Sequence, residues 1–150
     1  MGKHEWSSDE LRSKAEAYCA GTEHCCSEVK TKLLQWGADE TTINLILAHL
    51  QQHKYIDEER YCHAFAHDKL NYQGWGRVKI KAALFAKQLP QHYIILALDS
   101  IDEIEYFEIL KRVISTKKRA IKSSDPMARE KLIRFCLQRG FTYDEIEQSI

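Results

Sequence analysis

The chain has 150 residues, of which 44% are hydrophobic and 29% charged, with only two prolines and six glycines, and this composition indicates a soluble and strongly helical protein. Its formal net charge is zero, which argues against a general nucleic-acid binder. No apolar run approaches the ~20 residues of a membrane span, and the polar N-terminus lacks the apolar segment of a secretory signal, so we expect no membrane contact.

The first third of the chain predicts three helices. The first begins at a capping box that opens with Ser7 and ends before Gly21. The second covers about 27–36 and ends at Gly37, a residue suited to a C-terminal cap. The third begins near Asp39 and carries apolar residues at i, i+3, i+4 and i+7, which predicts a buried face. These residues are Ile43, Ile46, Leu47 and Leu50.

The middle third predicts helices four to six. Helix four begins at the acidic residues that follow Ile56, because carboxylates suit the positive end of a helix dipole. The loop 71–76 ends it, helix five covers about 77–87, and helix six follows Pro90, which suits a first helical turn.

The last third predicts helices seven to nine. Helix seven covers about 102–122, helix eight follows Asp125 as its expected cap, and helix nine opens at the capping box of Thr142 and Glu145. The expected buried side of helix seven consists of Ile104, Phe107, Leu110 and Ile114.

These nine helices repeat with a period of about 51 residues. Ile94 lies 51 residues after Ile43, and Gln88 occupies the turn position that Gly37 and Gly140 hold in the other copies. Such a period predicts a repeat architecture, here an all-α chain of three tandem three-helix repeats at 7–54, 55–101 and 102–150. Three apolar positions recur and are expected in the core: Val29, Ile80 and Leu132; Leu33, Leu84 and Cys136; Leu34, Phe85 and Leu137.

The five cysteines predict no disulfide framework, because their number is odd and no C-x-x-C spacing occurs. A reducing cytoplasm fits this pattern, with the thiols as small buried apolar groups. His63 and His67 lie four residues apart, as do His49 and His53, but neither pair has a third ligand at a recognised spacing. No phosphate-binding loop or catalytic motif occurs either, so we expect no metal, no cofactor and no enzymatic activity.

Three basic runs are candidate contact surfaces. Segment 111–139 contains 10 Lys/Arg and only 2 Asp/Glu, which permits an anionic partner despite the neutral total. The alternative for each run is an ordinary solvated helix surface. The runs comprise Arg77, Lys79, Lys81 and Lys87; Lys111, Arg112, Lys117, Lys118, Arg119 and Lys122; and Arg129, Lys131, Arg134 and Arg139.

The middle repeat carries a distinctive pattern of residues. An acidic helix start precedes an aromatic residue, and a Gly-Trp-Gly-Arg loop follows; the first and last repeats add matching apolar and glycine positions. The residues that carry this signature are Asp57, Glu58, Arg60, Tyr61, Lys69, Gly74, Trp75, Gly76, Gly140 and Phe141. Their order and spacing resemble the RecX family of regulatory proteins. The chain departs from the family pattern at Cys26, Cys62 and Gln88. We expect most signature residues to be structural. Trp75 is also a candidate contact residue, although we favour the interpretation that it fills the joint between repeats.

The resemblance implies an elongated, curved helical protein that binds the RecA recombinase and the RecA–DNA filament. It also implies inhibition of recombinase and co-protease activity, weak direct DNA binding in some members, and no catalysis. We expect a cytoplasmic monomer. The alternative is a helical DNA-binding module that acts without RecA, since helices five and six superficially resemble a helix-turn-helix unit. Against it, segment 93–96 is too apolar for a recognition helix.

Overall fold

The computed structural model describes residues 5–150, and in this range it contains nine α-helices and no β-strand, which confirms the all-α prediction. No helix of this range is both long enough and apolar enough to span a membrane. The helices are α1 Ser8–Gly21, α2 Cys26–Gln35, α3 Glu40–Gln52, α4 Glu58–Gln73, α5 Arg77–Ala86, α6 Gln91–Asp99, α7 Glu103–Ala120, α8 Ala128–Gln138 and α9 Tyr143–Ser149.

Side-chain caps fix most of the helix starts. At α1 the Ser7 hydroxyl accepts a hydrogen bond from the Glu10 amide at 3.1 Å, and the Glu10 carboxylate accepts one from the Ser7 amide at 3.1 Å. Thr142 and Glu145 form the same box at α9, so both predicted capping boxes are confirmed. Asp125 is not the cap of α8 as predicted. It accepts from the Met127 amide at 2.9 Å in the preceding turn, and the helix begins only at residue 128.

The turn after the second helix of each repeat has the same left-handed backbone. Gly37 has φ 87°, Gly140 has φ 98°, and Gln88 has φ 63°. Each residue donates its amide to the carbonyl three residues earlier, at 2.9–3.0 Å. Left-handed backbone disfavours residues with a Cβ, so the middle repeat keeps the turn geometry although its glycine has been replaced.

The apolar side chains form two separate cores. One is formed by repeat 1 together with Ile56, just beyond its predicted end, and the other by repeats 2 and 3 together with Cys25. Two of the three repeated apolar positions are buried, which confirms them as core positions: Val29, Ile80 and Leu132, and Leu33, Leu84 and Cys136.

The third repeated position was wrongly expected in the core. Leu34, Phe85 and Leu137 are 56%, 73% and 45% exposed. They lie five residues after the first buried position, and five residues rotate a helix by about 140° beyond a full turn, away from the core.

Two further core predictions on single helices need correction. Ile104 is 72% exposed, and the buried side of α7 instead includes Tyr106 and Ile109 besides Leu110 and Ile114. Leu47 is only half-buried against the repeat 1 core, whereas Leu50, one turn further along, is fully buried.

Repeats 2 and 3 are joined by their backbones. The Gly76 amide donates to the Arg139 carbonyl at 2.7 Å, and the Val78 amide donates to the Gly140 carbonyl at 3.0 Å. A Cβ added at Gly76 would lie 2.4 Å from the Gly140 oxygen. Only glycine fits so close an approach, so this pair of glycines fixes how the two repeats meet.

Candidate functional site

A cleft of about 290 Å³ opens beside this joint, between the end of α4 and helices α7 and α8. Its charged lining residues are Arg112, Lys117 and Arg139, and no carboxylate belongs to the described lining. Because like charges converge without an acidic neighbour in the lining, the cleft favours an anionic ligand. The lining residues are Asn71, Tyr72, Gln73, Gly74, Ile109, Arg112, Val113, Thr116, Lys117, Ala120, Phe135 and Arg139.

The Phe135 ring contacts two of these cations. The Lys117 ammonium lies 4.7 Å from the centre of the Phe135 ring, and the Arg139 guanidinium lies 4.8 Å from it. Both distances allow cation–π attraction. Arg139 also donates to the Gln73 carbonyl at 2.6 Å, which ties α8 to the end of α4. At the rim, Tyr72 is 82% exposed and presents its ring to solvent.

Trp75 continues this arrangement beyond the cleft. The ammonium groups of Lys69 and Lys79 lie 4.8 Å and 4.4 Å from the centre of its ring, and Phe65 packs against the ring edge with centroids 6.3 Å apart. Trp75 is partly buried against the shared core, next to the Gly76–Arg139 backbone bond. It therefore lies at the joint between repeats and also helps to hold two cations.

We call the combined set the basic–aromatic surface. None of its five cations forms an ion pair with another residue of the described range. Since no carboxylate neutralises them internally, they are available to an anionic partner. The surface consists of Lys69, Tyr72, Trp75, Lys79, Arg112, Lys117, Phe135 and Arg139.

Arg77, unlike the five cations of the basic–aromatic surface, forms ion pairs within the protein. Its guanidinium lies 2.6 Å from Glu103 and 4.0 Å from Glu145, and it stacks 4.1 Å from the centre of the Tyr106 ring. It also donates to the Leu98 carbonyl at 3.4 Å. These contacts link α5 to the third repeat and favour a structural role for Arg77.

Tyr106 completes that inner network. Its hydroxyl donates to Glu145 at 3.1 Å and accepts from the Arg77 amide at 3.2 Å, while its ring packs 5.4 Å from Phe141. Burial raises the pKa of Tyr106, so the hydroxyl stays protonated and can donate. No local sequence pattern predicts this role of Tyr106, because its partners lie 29 and 39 residues away along the chain.

The remaining predicted cations divide into two groups. Lys87, Arg129 and Lys131 pair with Glu28, Glu147 and Asp125. The others are exposed, outside the cleft lining, and without an ion pair to a described carboxylate. They are Lys81, Lys111, Lys118, Arg119, Lys122 and Arg134. Of these, Lys118 and Lys122 join Arg129 around a second cleft of about 330 Å³.

The signature residues in α4 have structural contacts. Asp57 caps the helix by accepting from the Arg60 amide at 3.0 Å, and Tyr61 is buried. Glu58 accepts from the Cys26 amide at 3.3 Å, so it links α4 to the first repeat. Gly74 ends the helix in left-handed backbone with φ 66°.

The histidine pairs bind neighbouring side chains. His49 lies 2.9 Å from Glu16, and both His63 and His67 lie 3.2 Å from the Ser100 hydroxyl. Within residues 5–150, no group of three or more His, Cys, Asp or Glu side chains is arranged to hold a metal ion.

Sequence reasoning missed three members of the surface as contact residues. Lys69 was assigned to the structural signature, and neither Tyr72 nor Phe135 was singled out for contact. An aromatic residue beside a basic one at i+4, as Phe135 stands beside Arg139, is a signal that could have identified that pair.

Comparison with known proteins gives the same family for repeat 2 and for repeat 3. The family model "RecX, second three-helix domain" matches residues 57–98, and "RecX, third three-helix domain" matches residues 103–150. Both matched segments include residues of the basic–aromatic surface.

Named relatives extend the match over most of the chain. The regulatory protein RecX of Chlorobaculum tepidum is 28% identical over 131 residues, covering 87% of this chain and 80% of the relative. That of Clostridium perfringens strain SM101 is 34% identical over 122 residues, covering 78% of this chain but only 56% of the longer relative.

A solved structure agrees in fold. The crystal structure of RecX from Lactobacillus salivarius superposes with a TM-score of 0.83 at 20% identity, over 95% of this chain and 93% of that one. The two domain matches, which together span more than half of the chain, and the 34% identical relative show that the chain belongs to the RecX family of regulatory proteins.

Proposed function

We propose that this protein binds the RecA recombinase and its filament on DNA, and that it mainly inhibits recombinase and co-protease activity without catalysis of its own. Membership of the RecX family supports the regulatory role. The observation that carries the proposal is the basic–aromatic surface, where five cations without ion pairs lie across the joint of two repeats that share one core.

The scaffold suits binding to an extended partner. The shared core and the Gly76–Gly140 contact fix the backbones of repeats 2 and 3 relative to each other, so binding requires no rearrangement of the two repeats that carry these cations. Arg112, Lys117 and Arg139 would pair with acidic groups of RecA or with DNA phosphates. Affinity would then come from many modest contacts, and salt would weaken it.

The direct test is the DNA-dependent ATPase and strand-exchange activity of the cognate RecA with substoichiometric amounts of this protein. We expect inhibition by the wild-type chain and at least a tenfold loss of potency when Arg112 and Lys117 are both changed to Glu. The matched control changes Lys30 and Lys54 to Glu, because both are exposed, carry the same charge, lie outside the cleft lining and belong to none of the three basic runs.

Two results would count against the proposal. If the wild-type protein leaves RecA unaffected, RecA regulation is refuted. If the cleft variant inhibits as strongly as the control variant, the basic–aromatic surface is not the contact surface.

One observation favours the second candidate, a helical module that binds nucleic acid alone. The exposed Tyr72 ring beside three cations resembles the stacking platforms that hold single-stranded bases, where each base–aromatic stack contributes about 1–3 kcal/mol. Titration of labelled single-stranded DNA, with and without RecA, separates the candidates. Tight and steeply salt-dependent binding to bare DNA supports the module, whereas weak binding to bare DNA and tight binding to RecA–DNA filaments supports the regulator.

A further inference from the structure

The joint between repeat 1 and repeat 2 differs in kind from the joint between repeats 2 and 3. Repeat 1 and the adjoining Ile56 complete one core, which extends from Leu11 to Ile56. The second core begins at Tyr61 in α4, apart from the side chain of Cys25. Of the described residues before 55, Cys25 alone belongs to that second core. Apolar burial therefore holds repeat 1 to its neighbour only weakly.

Polar contacts form the rest of the joint. Lys87 lies 3.2 Å from Glu28, and Arg60 lies 2.6 Å from Glu23. These side chains are 27–44% exposed, so water and salt screen both pairs. The hydrogen bond from the Cys26 amide to Glu58 adds one more link.

Cys25 reports on this joint because it is fully buried there. Its exposed fraction is 0%, and its thiol lies 3.2 Å from the Ser27 hydroxyl. Burial also raises the pKa of the Cys25 thiol, which further lowers its reactivity while the joint is closed. A separation of repeat 1 from repeat 2 would withdraw this thiol from the core of repeats 2 and 3 and expose it, without requiring either core to unfold.

We propose that repeat 1 is a hinged arm. It opens as a folded body about the connection at 53–57, so that Cys25 leaves the core of repeats 2 and 3 and becomes exposed while neither core unfolds. Higher ionic strength shifts it toward the open form. The contacts that break are the Lys87–Glu28 and Arg60–Glu23 pairs, the Cys26–Glu58 hydrogen bond, and the hydrogen-bonding contact of Tyr61 with Glu28 and Cys25. The proposal does not depend on RecA, so its test uses the protein alone.

Alkylation of the native thiols by N-ethylmaleimide tests the hinge, with each site quantified by mass spectrometry in the folded full-length chain. Cys26 is partly exposed and adjacent to Cys25, so the measurement is made in the Cys26→Ser background. Cys136, also 0% exposed, lies in the core of repeats 2 and 3 and is the internal control for global unfolding. Cys19, 8% exposed in the core of repeat 1, is the control for unfolding of the arm itself.

We expect Cys25 to react faster than both controls, each rate being normalised to that of the unfolded chain. Its rate should rise between 0.05 and 1 M NaCl, while the rate of Cys136 should not. Lys87→Met should raise the Cys25 rate about 1.5- to 5-fold, as expected for the loss of one partly exposed ion pair. Lys81→Met is the matched control, because Lys81 is an exposed lysine of the same helix without an ion pair to a described residue.

Two outcomes overturn the hinge. Equal normalised rates for Cys25 and Cys136 under all conditions would mean that the joint opens only when the whole chain unfolds. A Cys25 rate that responds neither to salt nor to Lys87→Met would mean that the ion pairs do not hold the joint. Circular dichroism of each variant verifies that it remains folded.

Discussion

Replacing Gly76 by alanine should destabilise the joint between repeats 2 and 3. Gly76 has an ordinary backbone with φ −81°, so the effect comes from space alone. The new Cβ would lie 2.4 Å from the Gly140 oxygen and 2.7 Å from the Phe141 nitrogen, which are backbone atoms that cannot rotate away. To reach even 3.0 Å, the two segments must separate by about 0.6 Å.

This separation has two energetic consequences. Overpacking of this kind costs about 1–3 kcal/mol. The movement also stretches two backbone hydrogen bonds, of 2.7 Å and 3.0 Å, each of which contributes about 0.5–1.5 kcal/mol. The expected loss in the free energy of unfolding is therefore about 2–6 kcal/mol, a large part of the ~5–15 kcal/mol typical of a domain.

Urea unfolding followed by circular dichroism measures this loss. The matched control is Gly21→Ala, because a Cβ at Gly21 meets no atom within 4 Å and the residue lies at the end of α1. We expect the control to leave stability unchanged or to raise it by up to ~1 kcal/mol. A loss below about 1 kcal/mol for Gly76→Ala would refute the reasoning, since the backbones would then separate without cost.

Three further outcomes are expected from unfolding measurements. Leu50→Ala should lower the free energy of unfolding by about 2–5 kcal/mol because Leu50 is fully buried. Leu47→Ala should lower it by about 1–2 kcal/mol because Leu47 is half-buried. Equal losses would contradict the assigned face of α3. Tyr106→Phe should cost about 1–3 kcal/mol, because the Arg77 amide loses a partly buried acceptor; a neutral effect would mean that water replaces the hydroxyl. Burial raises the pKa of Glu28, but the Cys25 amide and Lys87 outweigh it and lower the pKa below 4.5, so its stabilisation is present above that pH and is lost as the pH falls through the lowered value. Between pH 6 and 3, the Glu28→Gln variant should therefore lose less stability than the wild type. An equal loss would mean that Glu28 does not contribute to the loss of stability in acid.

The sequence predicts the fold well because its main signals are local. Helix starts follow from caps such as Ser7 and Thr142, whose partners lie three residues away. The repeat period likewise places Val29 and Leu33 on the same buried face. It fails one residue later, at Leu34, because an apolar residue at a repeated position can face solvent in every copy. Periodicity shows equivalence between repeats, and burial depends on the angle around the helix.

The candidate site was less accessible to sequence analysis because it is made by contacts between repeats. Net charge identifies the basic segment 111–139, but it cannot separate Arg77, which faces Glu103, from Lys117, which has no ion pair among the described residues. That distinction depends on partners 26 or more residues away. The surface also crosses from repeat 2 to repeat 3, so no single run of the chain contains it.

The division into two cores has a consequence for synthesis on the ribosome. Repeat 1 has its last core residue at Ile56, so it can fold while the rest of the chain is still being translated. Repeat 2 shares its core with residues up to Ile146, so it cannot complete its packing until the last helix has emerged. The nascent chain should therefore carry a folded first repeat followed by an incomplete, exposed second repeat, and that interval is when the protein is most open to aggregation or to chaperones.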